Sequence, residues 1–388
     1  MNRRRFLAMA RALGLGAPAA AALAACAGTP AGATTVGRVT VIGAGAAGLT
    51  TGYLLQQLGI PFTILEAAAQ PGGRMKRTAD FVDFPVPLGA EWIHVDTDIL
   101  EEIVNDDTVD VDVPTTQYNP RTDYALFEGD RYTMRDIGFA IESKFIGATW
   151  LDFYERYILP SVAEHIRYNA VVESVDYTAD AVVVRTREAA YTSKRVVVTV
   201  PVKQLQRSAI AFSPPLPGWK QTAIDRVRVW DGCKAFIEFS KTFYPAAVAF
   251  EITPETAGQK LYYDAAYGQR VDRHVLGLFA VGTGTLPYVT LDDDALIAYM
   301  LAELDALFEG QASRHYLQHT FQNWNTEPFI NGAYVVSHEN WRRVRTLGKR
   351  VGERLYFAGT AYTEGDDWSS VHTAARSAAR AVREMLGA

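Results

Sequence analysis

Gly43, Gly45 and Gly48 stand at the spacing GxGxxG, and a carboxylate, Glu66, follows eighteen positions after the last of them. Residues of these types at this spacing can hold a dinucleotide. Gly43 lets the chain turn, Gly45 lets backbone approach a pyrophosphate, and Gly48 lets a helix pack on a strand. The helix that begins there, with Ala46 and Ala47 in its first turn, aims its positive dipole end at the phosphates. Glu66 is placed to accept hydrogen bonds from a ribose diol. The glycine spacing alone is a weak signal, so the elements around it decide. The run Val39-Thr40-Val41-Ile42 predicts a strand before the turn, and the pattern Leu49, Tyr53, Leu54, Leu58 predicts a helix after it. The apolar residues 59–65 predict a second strand that ends at the carboxylate.

At 388 residues and 48% hydrophobic, the chain can build two domains around substantial cores. Its formal charge is -6, but four arginines and no acid fall in the first 25 residues. A chain beginning at Cys26 therefore carries 34 basic against 44 acidic side chains, a net charge of -10. That balance argues against nucleic acid as a partner and mildly favours the approach of cations. Asn2-Arg3-Arg4-Arg5-Phe6-Leu7 resembles the twin-arginine export consensus, residues 12–25 are apolar but too few to span a bilayer, and Leu23-Ala24-Ala25-Cys26 resembles a lipoprotein box. The expectation is an export signal over 1–26, a linker over 27–37, and a periplasmic or extracytoplasmic protein lipid-anchored at Cys26. A twin-arginine route exports proteins already folded around a cofactor, which agrees with the glycine turn. Cys233 is the one cysteine after Cys26, so no intramolecular disulfide is expected. The seven histidines are scattered along the chain and no CxxC accompanies them, so no metal site is expected.

Past Glu66 comes Gln70-Pro71-Gly72-Gly73-Arg74, a second glycine turn whose arginine can reach a phosphate or a cofactor ring, and then Pro87-Leu88-Gly89-Ala90-Glu91-Trp92-Ile93-His94. In a nicotinamide-binding Rossmann unit the second strand would lead to another helix instead. The order GxGxxGL, acid, GGR, LGAEWIH resembles the flavin-containing amine oxidases, the group of the monoamine and polyamine oxidases. The resemblance implies an α/β fold, α+β overall: a FAD/NAD(P)-binding Rossmann-type domain (38–94, 160–224 and 345–388) interleaved with a mixed α+β substrate domain (95–159 and 225–344). It implies FAD as cofactor, with Gly73, Arg74, Gly89, Ala90, Glu91 and Trp92 joining the first glycine turn around it. It also implies that Val172, in a strand expected over 170–177, touches adenine through its backbone. Further strands are expected over 181–186 and 195–200. The aromatics of 139–159 (Phe145, Trp150, Phe153, Tyr154, Tyr157) have helical spacing and are expected mostly in the core.

Oxidising an amine needs its α-hydrogen delivered to flavin N5, a dry aromatic slot that aligns the substrate, and a group near N5 that holds water or assists reoxidation. In the run 233–244, Lys234 opens a strand pattern. On its own, such a lysine reads as a solvated edge residue; the resemblance makes it the lysine that sits by N5 through a water. Trp324 and the later Asn331-Gly332-Ala333-Tyr334 resemble the family's Trp and Gly-x-Tyr pattern, which makes Tyr334 one wall of the slot and puts Trp324 among the cofactor-binding residues. Some members carry a flavin-linked cysteine just before that tyrosine; Ala333 stands there, so FAD is expected to be non-covalent. His94 falls where polyamine-oxidase relatives place a polar residue near the substrate. Residues 354–360, with Gly359 and Thr360, followed by an alanine-rich helix over 369–386, resemble the family's second FAD motif, whose helix points its positive end at flavin N1 and O2. Trp368 is the aromatic nearest the second slot wall.

The implied reaction is hydride transfer from the carbon α to a neutral amine onto flavin N5, giving an imine, with O2 as electron acceptor and H2O2 as product. Its partners are a small-molecule amine and O2, with the membrane touched only through the lipid anchor. The chain departs from the family in three places. Residues 95–160 are shorter than the helical insertion expected there, Thr360 stands where many members have an acid, and Ser369-Ser370-Val371-His372-Thr373 replaces the usual Glu-Gly-Ala. Asp366 and Asp367 precede the last helix, where charges aimed at the ring would oppose an anionic reduced flavin. A flavin desaturase or isomerase of an apolar substrate would use the same FAD motifs, and so would a catalytically idle FAD-binding protein.

Overall fold

The computed structural model describes residues 36–119, 123–128, 131–134, 142–250, 258–335, 337–364 and 369–387. The export signal with Cys26, most of the linker, and Asp366, Asp367 and Trp368 lie outside the described residues.

Two short apolar runs nucleate the first layer. Val39–Ile42 is buried at every position, as a strand must be when a parallel sheet is covered on both faces. Phe62–Leu65 pairs with it in parallel on one side and Arg195–Val198 on the other. Ile166–Arg167 and Leu355–Phe357 extend the two edges, giving five parallel strands in the order Leu355–Phe357, Arg195–Val198, Val39–Ile42, Phe62–Leu65, Ile166–Arg167. This is the order of a Rossmann sheet. Chain direction across the sheet reverses at Val39–Ile42, so the crevice at the carboxyl ends of Val39–Ile42 and Arg195–Val198 is where such a sheet receives a ligand.

The helix Ala46–Gln57 carries the chain between the first two strands and is buried continuously from Ala47 to Leu55. It is covered by the sheet and by the C-terminal helix Val371–Leu386, whose Ala374, Ala375, Ala378 and Ala381 are all buried. Small side chains let two helix backbones approach closely, which explains the alanine-rich composition of this segment. A four-stranded sheet, ordered Ala190–Ser193, Val182–Thr186, Val172–Asp176, Ala211–Ser213, lies in the same stretch of chain as Arg195–Val198.

The other large layer is a seven-stranded sheet in the order Tyr316–Asn323, Gly232–Phe239, His274–Val281, Gln259–Asp264, Ala247–Phe250, Tyr124–Glu128, Arg131–Met134. Gly232–Phe239 is paired along both sides and buried at all eight positions. Lys234 is therefore an interior residue, which overturns the solvated-edge reading of a lysine at a strand start. A second correction concerns 139–159. Trp150, Phe153 and Tyr154 are buried on a helix, Trp150–Tyr157, started by a capping box of Thr149 and Asp152. Phe145 instead ends a strand, Glu142–Phe145, which pairs with Thr115–Tyr118. Its neighbours in sequence read as helical because spacing alone cannot register a partner strand nearly thirty positions away.

Candidate active site

The first glycine turn is shaped by contacts that exclude side chains at two of its three glycines. Gly43 has φ +106, and a Cβ at Gly48 would stand 1.9 Å from the Gly43 carbonyl oxygen. The Thr199 hydroxyl, at the carboxyl end of Arg195–Val198, donates to Ile42 O at 2.7 Å and pins the turn to the sheet. Gly45 differs: a Cβ there would meet nothing within 4 Å. As N-cap of Ala46–Gln57 it offers no side-chain hydrogen bond, and the first turn has no acidic residue. The helix thus presents unsatisfied N–H groups and its positive end to open space, an anion site as it stands. Glu66 closes this corner. Its carboxylate accepts from the Ala44 N–H at 2.6 Å and the Ala68 N–H at 2.8 Å. Burial raises its pKa against the pull of those N–H groups. Val172, buried at the start of its strand, lies just beyond Ala170, whose N–H donates to Glu66 O at 2.8 Å.

The second glycine turn lies against the first. The Gly72 N–H donates to Ala44 O at 2.9 Å, and Gly73 (φ +54) packs on the Cα of Gly45. Arg74 then ties three distant segments together: Nη1 donates to Ala333 O, Nη2 donates to Thr360 Oγ1 at 3.0 Å, and its own carbonyl accepts from the Ala90 N–H at 2.9 Å. A Cβ at Gly89 would lie 2.0 Å from Arg74 O and 2.8 Å from Trp324 Cζ2, so only glycine lets these segments close up. Trp324 is buried, with its indole N–H donating to Leu88 O at 3.0 Å. Gly359 (φ +141) donates its N–H to Ser377 Oγ at 2.7 Å, which locks the C-terminal turn onto the last helix. Ser370 caps that helix by accepting from the Thr373 N–H at 3.2 Å.

Glu91 and Lys234 meet in a fully buried ion cluster. Lys234 Nζ is 2.6 Å from Glu91 Oε2 and also donates to Pro87 O at 3.0 Å and Gly89 O at 3.2 Å. The other carboxylate oxygen, Oε1, is 3.0 Å from Lys144 Nζ, and the Tyr263 hydroxyl donates to Oε2. Burial works against the Glu91 charge, but Lys234 and Lys144 overcome it and hold the carboxyl at about 2. Burial lowers the Lys234 pKa, opposed by Glu91. A carboxylate and two carbonyls stand in contact with Nζ, so each of the three protons of its ammonium form has a protein acceptor.

Tyr334 stands beside Trp230, ring centroids 5.8 Å apart at 64°, through backbone pairing of Trp230 with Ala333 and Tyr334. The Trp230 indole N–H is buried with no hydrogen-bond partner among the described residues. A buried donor left unpaired is costly, and either a bound group or an ordered water satisfies it. Trp92 packs edge-on against Tyr118 and Tyr263 at 4.9 and 5.3 Å. His94 is exposed, with Nδ1 3.0 Å from Glu142 Oε1. The structure thus brings together the two glycine turns, Glu66, Arg74, Gly89, Ala90, Trp324, Tyr334, Gly359 and Thr360, with Lys234 and Glu91 directly beneath Gly89; His94 stays at the periphery, and Trp368 is not described. Thr199, Trp230, Lys144 and Tyr263 complete the site and were not among the sequence candidates. Of the four, only Thr199 falls on a strand the sequence predicts, over 195–200.

The open space at Gly45, the uncapped helix and the orphan Trp230 N–H fit a dinucleotide with a polar ring system. Comparison with known proteins bears on which one. Residues 152–386 match the family model of flavin containing amine oxidoreductases, and residues 41–106 match that of an NAD(P)-binding Rossmann-like domain. Over 213 residues the chain is 29% identical to lysine-specific histone demethylase 1B of Mus musculus, covering 53% of this chain and 26% of that protein. It is 23% identical to polyamine oxidase 2 of Arabidopsis thaliana, covering 87% of this chain and 85% of the relative. The chain spans about a quarter of the length of the histone demethylases of mouse and human that it matches. A solved structure of a putrescine oxidase variant, A394C, superposes with a TM-score of 0.73 at 15% identity, covering 90% of this chain and 99% of that one, which shows a shared fold. With the matched segment covering more than half of its residues, the chain belongs to the flavin containing amine oxidoreductase family, whose cofactor is FAD.

Proposed function

We propose that the protein is a FAD-dependent oxidase of a small aliphatic amine, with FAD held non-covalently. The observation that carries this reading is the Arg74 guanidinium, which joins the dinucleotide cradle, through Ala333 O and Thr360 Oγ1, to the segment bearing Tyr334. Bound FAD supplies a hydride acceptor at flavin N5 and passes the electrons to O2 as H2O2. The chain supplies binding and orientation. Gly43, Gly45, Ala46, Ala47 and Gly48 take the pyrophosphate, Glu66 the ribose, and Val172 the adenine end. Tyr334 is one wall of the amine slot, with Trp368 assigned to the opposite wall. Lys234, beside the segment 87–91, keeps a positive charge near N5, and Ala333 has no thiol with which to tether the ring. The polyamine oxidase and putrescine oxidase likenesses support an aliphatic amine. The half-buried Glu142 beside His94 and the net negative charge favour approach of its cationic form.

In the same reading, FAD-binding segments are 38–94, 160–224 and 345–388, and substrate-domain segments are 95–159 and 225–344. All five parallel strands fall in the first set and all seven strands of the large sheet in the second. Export through residues 1–26 and a lipid tether at Cys26 complete the proposal. The test is anaerobic mixing of the FAD-loaded protein with a panel of mono-, di- and polyamines. Loss of the visible FAD absorbance with one of them, and H2O2 release in air, is expected. A flavin that no amine bleaches would refute the amine as substrate.

A further inference from the structure

Lys144 was not among the residues the motifs single out, yet it is one of the most enclosed charges in the molecule. It lies on Glu142–Phe145, whose Ser143 bridges in antiparallel fashion to Ile93, two residues past Glu91. Its Nζ is 3.0 Å from Glu91 Oε1 and donates to Ala265 O at 3.0 Å. Three aromatic rings surround it, with centroids at 5.3 Å (Trp92), 5.5 Å (Tyr118) and 5.5 Å (Tyr263). Rings at this range attract an ammonium by their negative faces and help fix it in place. Lys234 sits on the opposite oxygen of the same carboxylate at 2.6 Å.

A carboxylate rotates freely about its last torsion, so one held by a single partner can swing. Glu91 cannot, because its two oxygens are bound from opposite sides. We propose that Lys144 is the positioning residue for Lys234, acting through Glu91: by fixing Oε1 it aims Oε2 at the Lys234 ammonium. The aromatic box fixes Lys144, Lys144 fixes Glu91, and Glu91 with Pro87 O and Gly89 O fixes Lys234. This rests on the reading of Lys234 as the charge beside the flavin.

The charged and titratable groups around the cluster come from five segments: Glu91, Lys234, Lys144, Tyr118 of the strand Thr115–Tyr118, and Tyr263 with Asp264 of Gln259–Asp264. Asp264 accepts from the Ala266 N–H at 3.0 Å, and the Lys144 charge opposes the rise that burial causes in its pKa. Glu91 favours the charged form of Lys234, whereas Lys144 disfavours it. Removing Lys144 as a mere like charge would therefore raise the titration of Lys234, whereas freeing Glu91 to swing away from it lowers that titration, so the direction separates positioning from repulsion.

The test uses the FAD-loaded full chain carrying 13Cε-labelled lysine, with the Lys234 signal assigned through K234R. In E91Q the Lys234 midpoint should fall, and in K144M it should fall as well because the freed carboxylate no longer meets the ammonium, while K144R keeps the wild-type value. In parallel, K144M should lower kcat for the amine about tenfold with KM within about twofold, and K144R should restore it. A K144M midpoint that stays put or rises overturns the proposal. So does a K144M enzyme that turns over at the wild-type rate while K234M is slow. If K234M itself turns over normally, the catalytic reading of Lys234 falls, and the NMR midpoints alone then decide whether Lys144 positions it.

Discussion

Arg74 and Thr360 are 286 positions apart in sequence and 3.0 Å apart between Nη2 and Oγ1. Thr360, which stands where many members of the family have an acid, holds the arginine as a neutral partner. The Arg74 fork needs both arms, one on Ala333 O and one on Thr360. Lysine carries the charge without the fork. R74K should therefore raise the dissociation constant for FAD about tenfold, worth roughly 1.4 kcal/mol, and T360V should raise it less. Ultrafiltration of FAD against each variant reads this directly.

The two inner glycines of the first turn separate folding from cofactor binding. G48A forces a Cβ into the Gly43 carbonyl and should lower both the melting temperature of the FAD-free protein and its FAD affinity. G45A meets no protein atom, so the FAD-free melting temperature should stay within a degree or two of wild type while FAD affinity falls by about tenfold or more, because the added methyl fills the space left for pyrophosphate. Equal effects on both quantities in G45A would show that the space is not the cofactor's.

Glu91 gives acid sensitivity with a defined sign. Its carboxyl titrates at about 2 in the folded chain, below the ordinary 4.5. Its contribution is therefore complete above pH 4.5 and is lost as the pH falls toward 2. A shift of that size is worth about 3 kcal/mol at neutral pH. E91Q should be less stable than wild type by about that amount at pH 7, the difference shrinking between pH 4.5 and 2. Chemical denaturation at pH 7 and pH 3 checks it; a pH-independent difference would mean the carboxyl is not held ionised by its lysines.

Residues 39–66 are readable from sequence because each constraint there is local: an apolar run, three glycines, a helical period and one acid. The same holds for Phe357-Ala358-Gly359, where a strand ends in a turn. The ion cluster is different in kind. Glu91 and Lys234 are 143 positions apart, and Lys144 reaches them only because Glu142–Phe145 turns out to be a strand pairing with Ile93 and Thr115–Tyr118. Nothing in the spacing of a single lysine among aromatics signals that pairing. Trp230 was hidden for a similar reason, since its role depends on backbone pairing with Ala333 and Tyr334 across a hundred residues.

Lys220 offers a stability test far from the chemistry. It is completely buried on the helix Gly218–Arg226, donates to Leu347 O and to Lys349 O at 2.6 Å, and lies 3.4 Å from the centroid of Phe357. Burial, with the nearby Arg380 charge, pulls its pKa down to about 6 against an opposing pull from Glu384. The unfolded chain therefore binds more protons between pH 6 and 10.5, so stability from this site rises with pH across that window and is lost as pH falls through it. K220M removes the slope along with two hydrogen bonds to carbonyls at the end of the helix Ser337–Gly348. At pH 10 it should melt below wild type, and at pH 6 the gap should narrow or reverse. Thermal melts at both pH values decide the matter: an unchanged gap would mean that the two carbonyls hold Lys220 as an ammonium throughout.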